Sequence, residues 1–229
     1  MKFYVIIPAS GSGVRYGGKL PKQFIRIDGK EIIAYTLQKF NSLKSVDSIV
    51  IATQKKYFNK LRKLVKENAF QKVLNIVEGG KTRHDSVLNG LKMLNPDKND
   101  FIIVHDAVRP FITVKKIREL IKEVKDCNAV IPGLRINDTT KEVGKNDIIR
   151  KTIPRENLWI VQTPQLFRYD ILKKAFEKAG ENKFKGTDES SIVEYAGYKV
   201  KIIEGEKTNI KITTNEDIKS LDIKELLKN

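Results

Sequence analysis

The stretch Pro8-Ala9-Ser10-Gly11-Ser12-Gly13-Val14-Arg15-Tyr16-Gly17-Gly18-Lys19-Leu20-Pro21-Lys22-Gln23 decides how the chain is read. It follows the apolar run Phe3 to Ile7, and a glycine-rich loop after a first buried strand lets backbone N–H groups approach a phosphate closely. A nucleotide site is therefore expected. The dinucleotide fingerprint G-x-G-x-x-G is disfavoured, because Tyr16 stands where the third glycine is needed and no acidic residue ends a second strand about 20 residues on. Gly13 to Lys19 satisfies G-x-x-x-x-G-K, but Leu20 replaces the hydroxyl that ligates magnesium, and Pro21 bars a smoothly continuing helix. What is left is a glycine loop carrying Arg15 and Lys22, two cations able to neutralise a triphosphate.

Outward from this loop, strand-like runs alternate with helix-period segments, the pattern of a largely parallel sheet covered by helices. Strands are expected at Phe3 to Ile7, Ser48 to Ala52, Val73 to Val77, Phe101 to Val104, Ala129 to Pro132, Leu158 to Val161 and Lys199 to Ile203. Helices are expected at Glu31 to Phe40, around Leu61 to Val65, from Thr82 with a Thr-x-x-Asp cap, at Val114 to Val124, at Tyr169 to Ala179 and Asp188 to Gly197, and from Thr214 with Asp217 as cap. Arg135 to Ile153 breaks the pattern. It is polar, with a Gly144-Lys145-Asn146-Asp147 turn between weakly apolar arms, and reads as a projecting hairpin that needs something to pack on, such as a second copy of the chain.

The 229 residues suit one α/β domain, and 40% hydrophobic with 31% charged residues excludes disorder and a membrane protein. No apolar run approaches the roughly 20 residues that span a bilayer. Met1 to Ser10 reads as the first strand in preference to a signal peptide, and one cysteine, Cys127, cannot pair within the chain, so a cytoplasmic setting is expected. Lys plus Arg at 44 against Asp plus Glu at 28 gives a net charge of +16, which favours anionic partners. The excess is lysine scattered over polar helix faces such as Lys55, Lys56, Lys60, Lys63 and Lys66, without interleaved aromatics, so a general surface is favoured over a nucleic-acid footprint.

Two further segments carry chemistry. Gly79-Gly80-Lys81-Thr82-Arg83-His84-Asp85-Ser86 is a strand-to-helix turn suited to holding a base or ribose by backbone groups, with help from Ser86. His105-Asp106-Ala107-Val108-Arg109-Pro110 places a carboxylate and a guanidinium at the carboxyl edge of a buried strand, where Asp106 could hold a metal on a triphosphate or orient a hydroxyl and Arg109 could pair with a phosphate. His105 is given no catalytic role, and Cys127 is read as packing. No paired carboxylates and no Ser-His-Asp or Cys-His arrangement competes.

Pro8 to Gln23, Gly79-Gly80-x-x-Arg83-x-x-Ser86-Val87, His105 to Pro110, Leu158-Trp159-x-x-Gln162-Thr163-Pro164-Gln165, Thr187-Asp188 and Asn209-Ile210-Lys211-Ile212-Thr213 fall in order across nearly the whole chain. Jointly they resemble the 2-C-methyl-D-erythritol 4-phosphate cytidylyltransferases. The fold this implies is a single Rossmann-like α/β domain over residues 1–229, a mostly parallel sheet flanked by helices, with the hairpin at about 135–155 as a dimerising arm. The implied reaction moves CMP from CTP to the phosphate of methylerythritol phosphate and releases pyrophosphate, with Mg²⁺, in non-mevalonate isoprenoid synthesis.

Carried over by position, Arg15 and Lys22 stabilise charge on the α-phosphate, and Arg155 and Lys211 position the acceptor. Asp106, Arg109, Thr139 and Thr187 line the acceptor pocket; Ala9, Ser10, Gly11, Ser12, Gly13, Gly80, Arg83 and Ser86 hold the nucleotide. The arm brings Thr139 and Arg155 into a neighbouring chain's site in a homodimer, with neither membrane nor nucleic acid as partner. Ser10 and Val108 stand where the family usually or often has alanine. His-Asp-x-Val-Arg-Pro-Phe also looks like the sister family, the ribitol 5-phosphate cytidylyltransferases, whereas Thr187-Asp188-Glu189-Ser190-Ser191 and the Arg83-x-x-Ser86-Val87 spacing look more like the methylerythritol enzyme. A non-catalytic nucleotide- or nucleic-acid-binding protein is the alternative of another class, and it leaves Lys22 and Lys211 without a role.

Overall fold

The computed structural model describes residues 1–11 and 20–219. In chain order these form β1 (Phe3–Pro8), β2 (Arg26–Ile27), β3 (Lys30–Glu31), α1 (Ile32–Asn41), β4 (Ser48–Thr53), α2 (Phe58–Glu67), β5 (Val73–Glu78), α3 (Arg83–Lys92), β6 (Phe101–Val104), α4 (Val114–Cys127), β7 (Ala129–Arg135), β8 (Thr140–Val143), β9 (Ile149–Ile153), β10 (Trp159–Val161), β11 (Gln165–Arg168), α5 (Tyr169–Glu181), α6 (Glu189–Tyr195), β12 (Lys201–Glu204) and α7 (Asn215–Lys219).

The main sheet runs β5-β4-β1-β6-β11-β7, with β10 following β11 along β7 and β12 on the other edge of β7. β1 pairs in parallel with β4 and β6, β4 with β5, and β7 with β12; β10 and β11 are antiparallel to their neighbours. The mostly parallel α/β sheet expected from the sequence is therefore present. Alternation along β1 supplies both faces: Phe3, Val5 and Ile7 pack against α1, α2 and α4, while Tyr4 and Ile6 pack against α3, α5 and α6. A strand buried on both sides has no polar face, which is why it reads as a continuous apolar run.

From β1 the chain moves outward through β4 to β5, then returns to place β6 on the opposite side of β1. Strand order thus reverses between β1 and β6, and the loops leaving their carboxyl ends diverge into a crevice where open α/β sheets bind ligands.

β11 was not anticipated. Only Gln165–Arg168 fills the gap between β6 and β7, too short a run to separate from the helix that follows it. The small β2–β3 hairpin was missed for the same reason. The projecting arm is the antiparallel pair β8–β9, a two-stranded sheet apart from the main one, with Val143, Ile148 and Ile149 exposed on it. Its turn places Asn146 and Asp147, and not Gly144, in the left-handed region. Asp217 caps α7 as the sequence suggested, accepting from the Thr213 and Thr214 N–H groups at 2.6 and 2.8 Å.

Candidate active site

A cleft of about 640 Å³ opens at the β1/β6 reversal, walled by residues 8–11, Lys22 and Gln23, the turn entering α3, Asp106 to Val108 and Lys211. Ser12, Gly13 and Arg15 lie outside the described residues, so the loop's expected phosphate contacts are represented by its two ends.

The near end is pinned by side-chain amides and hydroxyls. Gln23 Nε2 donates to Ala9 O at 2.6 Å, Gln54 Nε2 to Ser10 O at 2.8 Å, and Thr53 Oγ1 to Ala9 O at 3.2 Å. Pro21 leads into a single 3-10 turn in which Gln23 and Phe24 are buried, Phe24 against Tyr57. Lys22, half-buried between these anchors, lines the cleft.

Opposite it, Gly79 and Gly80 carry the chain into α3. A Cβ on Gly79 would stand 1.6 Å from Ser10 Oγ, so only glycine lets the two loops meet. The capping box expected of Thr82 and Asp85 is formed. Ser86 Oγ accepts the Gly80 N–H at 3.1 Å and lies 3.3 Å from Ser10 Oγ. Gly80, Ser86 and Ser10, assigned separately to the nucleotide, are thus one hydrogen-bonded group at the cleft wall.

Asp106 is where the sequence-distant segments converge. Its Oδ1 lies 3.1 Å from Arg83 Nε, and its Oδ2 lies 2.9 Å from Lys211 Nζ and 3.6 Å from Arg109 Nε. Burial opposes ionisation of this carboxyl, but Arg83, Lys211 and Arg109 overcome the penalty and hold it well below the usual carboxylate range. Arg83 in turn places Nη1 on both oxygens of Glu189. Burial alone would lower the Arg83 pKa, yet the two carboxylates raise it, so the guanidinium stays charged.

Asp106 is also the residue expected to hold a metal. Both of its oxygens are engaged by cations, which repel a further positive ion, and among the described residues no group of three or more His, Cys, Asp or Glu is placed to hold one. The direct-ligand role does not fit this donor set.

Lys211 reaches Asp106 because its neighbours are buried. Asn209 Nδ2 donates to Thr163 O at 2.8 Å, and Ile210 and Ile212 pack into a cluster with Ile27, Ile32, Val108 and Phe111. Ile212 N–H donates to Val108 O at 2.9 Å, and the ammonium between the two isoleucines turns to the cleft. Val108, one departure from the family pattern, is part of this packing. Arg109 Nη1 donates to Asn209 O at 2.7 Å, bracing the same segment from behind.

His105 is buried, and burial keeps its ring neutral. Thr163 Oγ1 accepts the Asp106 N–H at 3.1 Å and sits 3.0 Å from His105 Nδ1, while His105 Nε2 lies 3.1 Å from Arg109 O. The hydroxyl therefore donates to Nδ1 and the ring donates from Nε2. Burial pushes the imidazole pKa down to about 4.

Thr139, Arg155 and Thr187 are exposed and do not line the cleft of their own chain; Arg155 Nη1 binds Asn137 O at the root of the arm. The residue that sequence reasoning missed is Glu189. An acidic residue in the first turn of a helix is ordinarily explained by the helix dipole, so its pairing with Arg83 does not show in the local sequence. The Gln162-Thr163-Pro164-Gln165 block gains a structural explanation: Gln162 ties down Glu206 and Asn209, Thr163 ties down His105 and Asp106, and Gln165 ties down Asp188 and Ser190.

A Rossmann-like sheet with a cation-walled cleft at its strand-order reversal defines a nucleotide-handling α/β enzyme of the nucleotidyltransferase class. The family model described as 2-C-methyl-D-erythritol 4-phosphate cytidylyltransferase matches residues 3–224. Curated enzymes of that name from Clostridioides difficile and Dictyoglomus thermophilum are 41% identical over 217 residues and 39% over 219, covering 94% and 95% of this chain and 90% and 94% of theirs. The crystal structure of the Francisella tularensis enzyme superposes with a TM-score of 0.81 at 36% identity, covering 96% of this chain and 98% of that one. The chain belongs to the 2-C-methyl-D-erythritol 4-phosphate cytidylyltransferase family, and its ribitol sister family is not favoured. Among the described residues no helix is long and apolar enough to cross a membrane.

Proposed function

We propose that the protein transfers CMP from CTP to the phosphate of 2-C-methyl-D-erythritol 4-phosphate, giving 4-diphosphocytidyl-2-C-methyl-D-erythritol and pyrophosphate. The observation that carries this reading is the convergence of Lys22, Arg83 and Lys211 on one cleft at the β1/β6 reversal. Joining two anions calls for cations at the reacting centre and no nucleophile from the protein. Lys22, with Arg15 in the same loop, stabilises the α-phosphate as it becomes five-coordinate. Lys211 exchanges its pairing with Asp106 for the acceptor phosphate, and Asp106 is left to accept an acceptor hydroxyl. Ser10, Gly80 and Ser86 form the wall against which the nucleotide lies, and exclude water from that side.

Magnesium is the expected cofactor, and it supplies charge neutralisation on a triphosphate. Asp106, with both oxygens taken by cations, does not fit it as a ligand. Arg155 and Thr139, exposed at the base of the arm, act in the cleft of a second copy in a homodimer. The free Cys127 and the scarcity of cysteine fit a reducing, cytoplasmic setting.

Pyrophosphate release from CTP with methylerythritol phosphate and ribitol 5-phosphate side by side tests the reaction: the first acceptor should be preferred, and equal or reversed preference refutes the assignment. Sharing of sites is tested by co-expressing Lys22→Ala with Arg155→Ala. In randomly mixed two-fold dimers about half are hybrids with one intact site each, so activity should recover to roughly a quarter of the parent. Mixtures no more active than the separate variants would place both residues in one chain.

A further inference from the structure

Glu189 does not line the cleft, yet its carboxylate is fully buried, a placement tolerated only when the charge is paired. Both oxygens bind Arg83 Nη1, Oε1 at 2.5 Å. The start of α6 that carries it is held rigidly. Asp188 accepts the Ser191 N–H at 2.9 Å, and Gln165 donates to Asp188 Oδ2 at 2.6 Å while accepting the Ser190 N–H at 3.1 Å. Arg83 is thereby gripped at two points, Nη1 on Glu189 and Nε on Asp106, and the third nitrogen, Nη2, is buried without a partner among the described residues. Two fixed points set the plane of a guanidinium.

Charge makes this grip matter. Three cations, Arg83, Arg109 and Lys211, face Asp106, and Glu189 is the second carboxylate of the group. With Glu189 present, Arg83 divides its charge between two carboxylates. Without it, Arg83 competes with Lys211 for Asp106 or turns toward an anion in the cleft that it lines.

We propose that Glu189 is a positioning residue for cytidylyl transfer: acting through Arg83, it keeps Asp106 available to hold Lys211 in the place from which that ammonium meets the acceptor. The inference rests on the reaction proposed above and deepens it, by assigning part of the acceptor-side geometry to a residue that touches neither substrate.

A double-mutant cycle tests it, once the parent has been shown to release pyrophosphate from CTP and methylerythritol phosphate. Glu189→Gln should lower kcat on the order of 10²-fold, the effect of a misplaced reacting group, with a smaller change in the KM for CTP. In an Arg83→Met background the same substitution should change kcat little, because the interaction it disturbs is gone. Thermal melts establish that each variant is folded. If Glu189→Gln does not fold, Glu189→Asp, which keeps the charge and withdraws it by one methylene, takes its place in the cycle. A folded Glu189 variant with parental kcat, or one whose loss persists undiminished beside Arg83→Met, overturns the proposal.

A second readout is independent of the reaction. The chain has 2 histidines, and His84 Nδ1 lies 3.7 Å from Glu189 Oε1. The His84 pKa is raised, first of all by that neighbour. Glu189→Gln should lower it in an NMR titration whatever substrate is used, and an unmoved titration would show that Glu189 is not the buried charge beside His84 and Arg83 that the proposal requires. A parent without cytidylyltransferase activity refutes the reaction instead, and leaves the Glu189 contact to be judged by this titration.

Discussion

Asp106 and Lys211 form the two ends of one 2.9 Å ion pair, and substituting them should have unlike consequences. The Asp106 side chain is 9% exposed and carries three cations, whereas the Lys211 side chain is 38% exposed and has one carboxylate. Among the described residues, Asp106→Asn leaves Arg109 without a carboxylate and Arg83 with Glu189 alone, so it removes one partner from a buried charge cluster, a change of about 3–5 kcal/mol. At 2–4 °C per kcal/mol for a chain of this size, Tm should fall by roughly 6–20 °C. Lys211→Met leaves Asp106 with both arginines, and the lost pair is screened by solvent, so stability should change by about 1 kcal/mol or less. Its activity should fall on the order of 10²- to 10³-fold, as for removal of one electrostatic stabiliser. The depressed pKa of Asp106 means its contribution is present above the ordinary Asp value of 3.8 and is lost only as pH falls through the lower folded value, so melts at pH 7 report it in full. Calorimetry on both variants, with pyrophosphate-release kinetics, is the assay. An Asp106→Asn protein melting within a few degrees of the parent would refute the claim that this carboxylate holds the three cations together.

Lys22→Ala should lower kcat on the order of 10²- to 10³-fold with a smaller effect on CTP binding, and a change confined to KM would show that Lys22 binds ground and transition states alike. Gly79→Ala should destabilise the protein by about 1–3 kcal/mol in denaturant melts, because its Cβ would lie 1.6 Å from Ser10 Oγ and 2.7 Å from Ser10 Cβ. Ser10→Gly should relieve this clash more than Ser10→Ala, and equal rescue by the two would contradict the packing. His105, with its pKa pushed down to about 4, refuses a proton that the unfolded chain accepts near 6.5, so stability should fall by up to about 1.4 kcal/mol per unit as pH drops from 6.5 toward 4. His84, shifted the other way, stabilises fully below 6.5 and loses that contribution as pH rises through its folded value. NMR should show one ring titrating above 6.5 and one silent down to pH 5.5; two rings titrating near 6.5 would contradict both environments.

The parallel strands were legible because burial on both faces writes them as unbroken apolar runs, as in Phe3 to Ile7 and Phe101 to Val104. Helices such as α4 were legible because Ile117, Leu120, Ile121 and Val124 repeat at the helical period. β11 was not, since four residues carry too little pattern to be told from the helix beginning at Tyr169. Among site residues, Lys22 could be singled out from its place beside the glycine loop, and Lys211 only through the Asn209-Ile210-Lys211-Ile212-Thr213 block that carries the family resemblance.

Pairing between distant segments is what the sequence conceals. Asp106 reads locally as a carboxylate at a strand end, open to a metal, and only the fold brings Arg83, Arg109 and Lys211 onto it. The same folding turns Glu189 from a helix-start acid into a buried counter-charge. Two carboxylates against three cations leave this part of the cleft one positive charge from neutrality, which keeps the basic groups fixed without an anion present. An arriving phosphate then exchanges partners with Lys211, and the half-exposed ammonium is the member of the cluster that can make this exchange with least disturbance to the buried arginines. Catalytic mobility should therefore concentrate in Lys211, with Arg83 and Arg109 acting as its fixed frame.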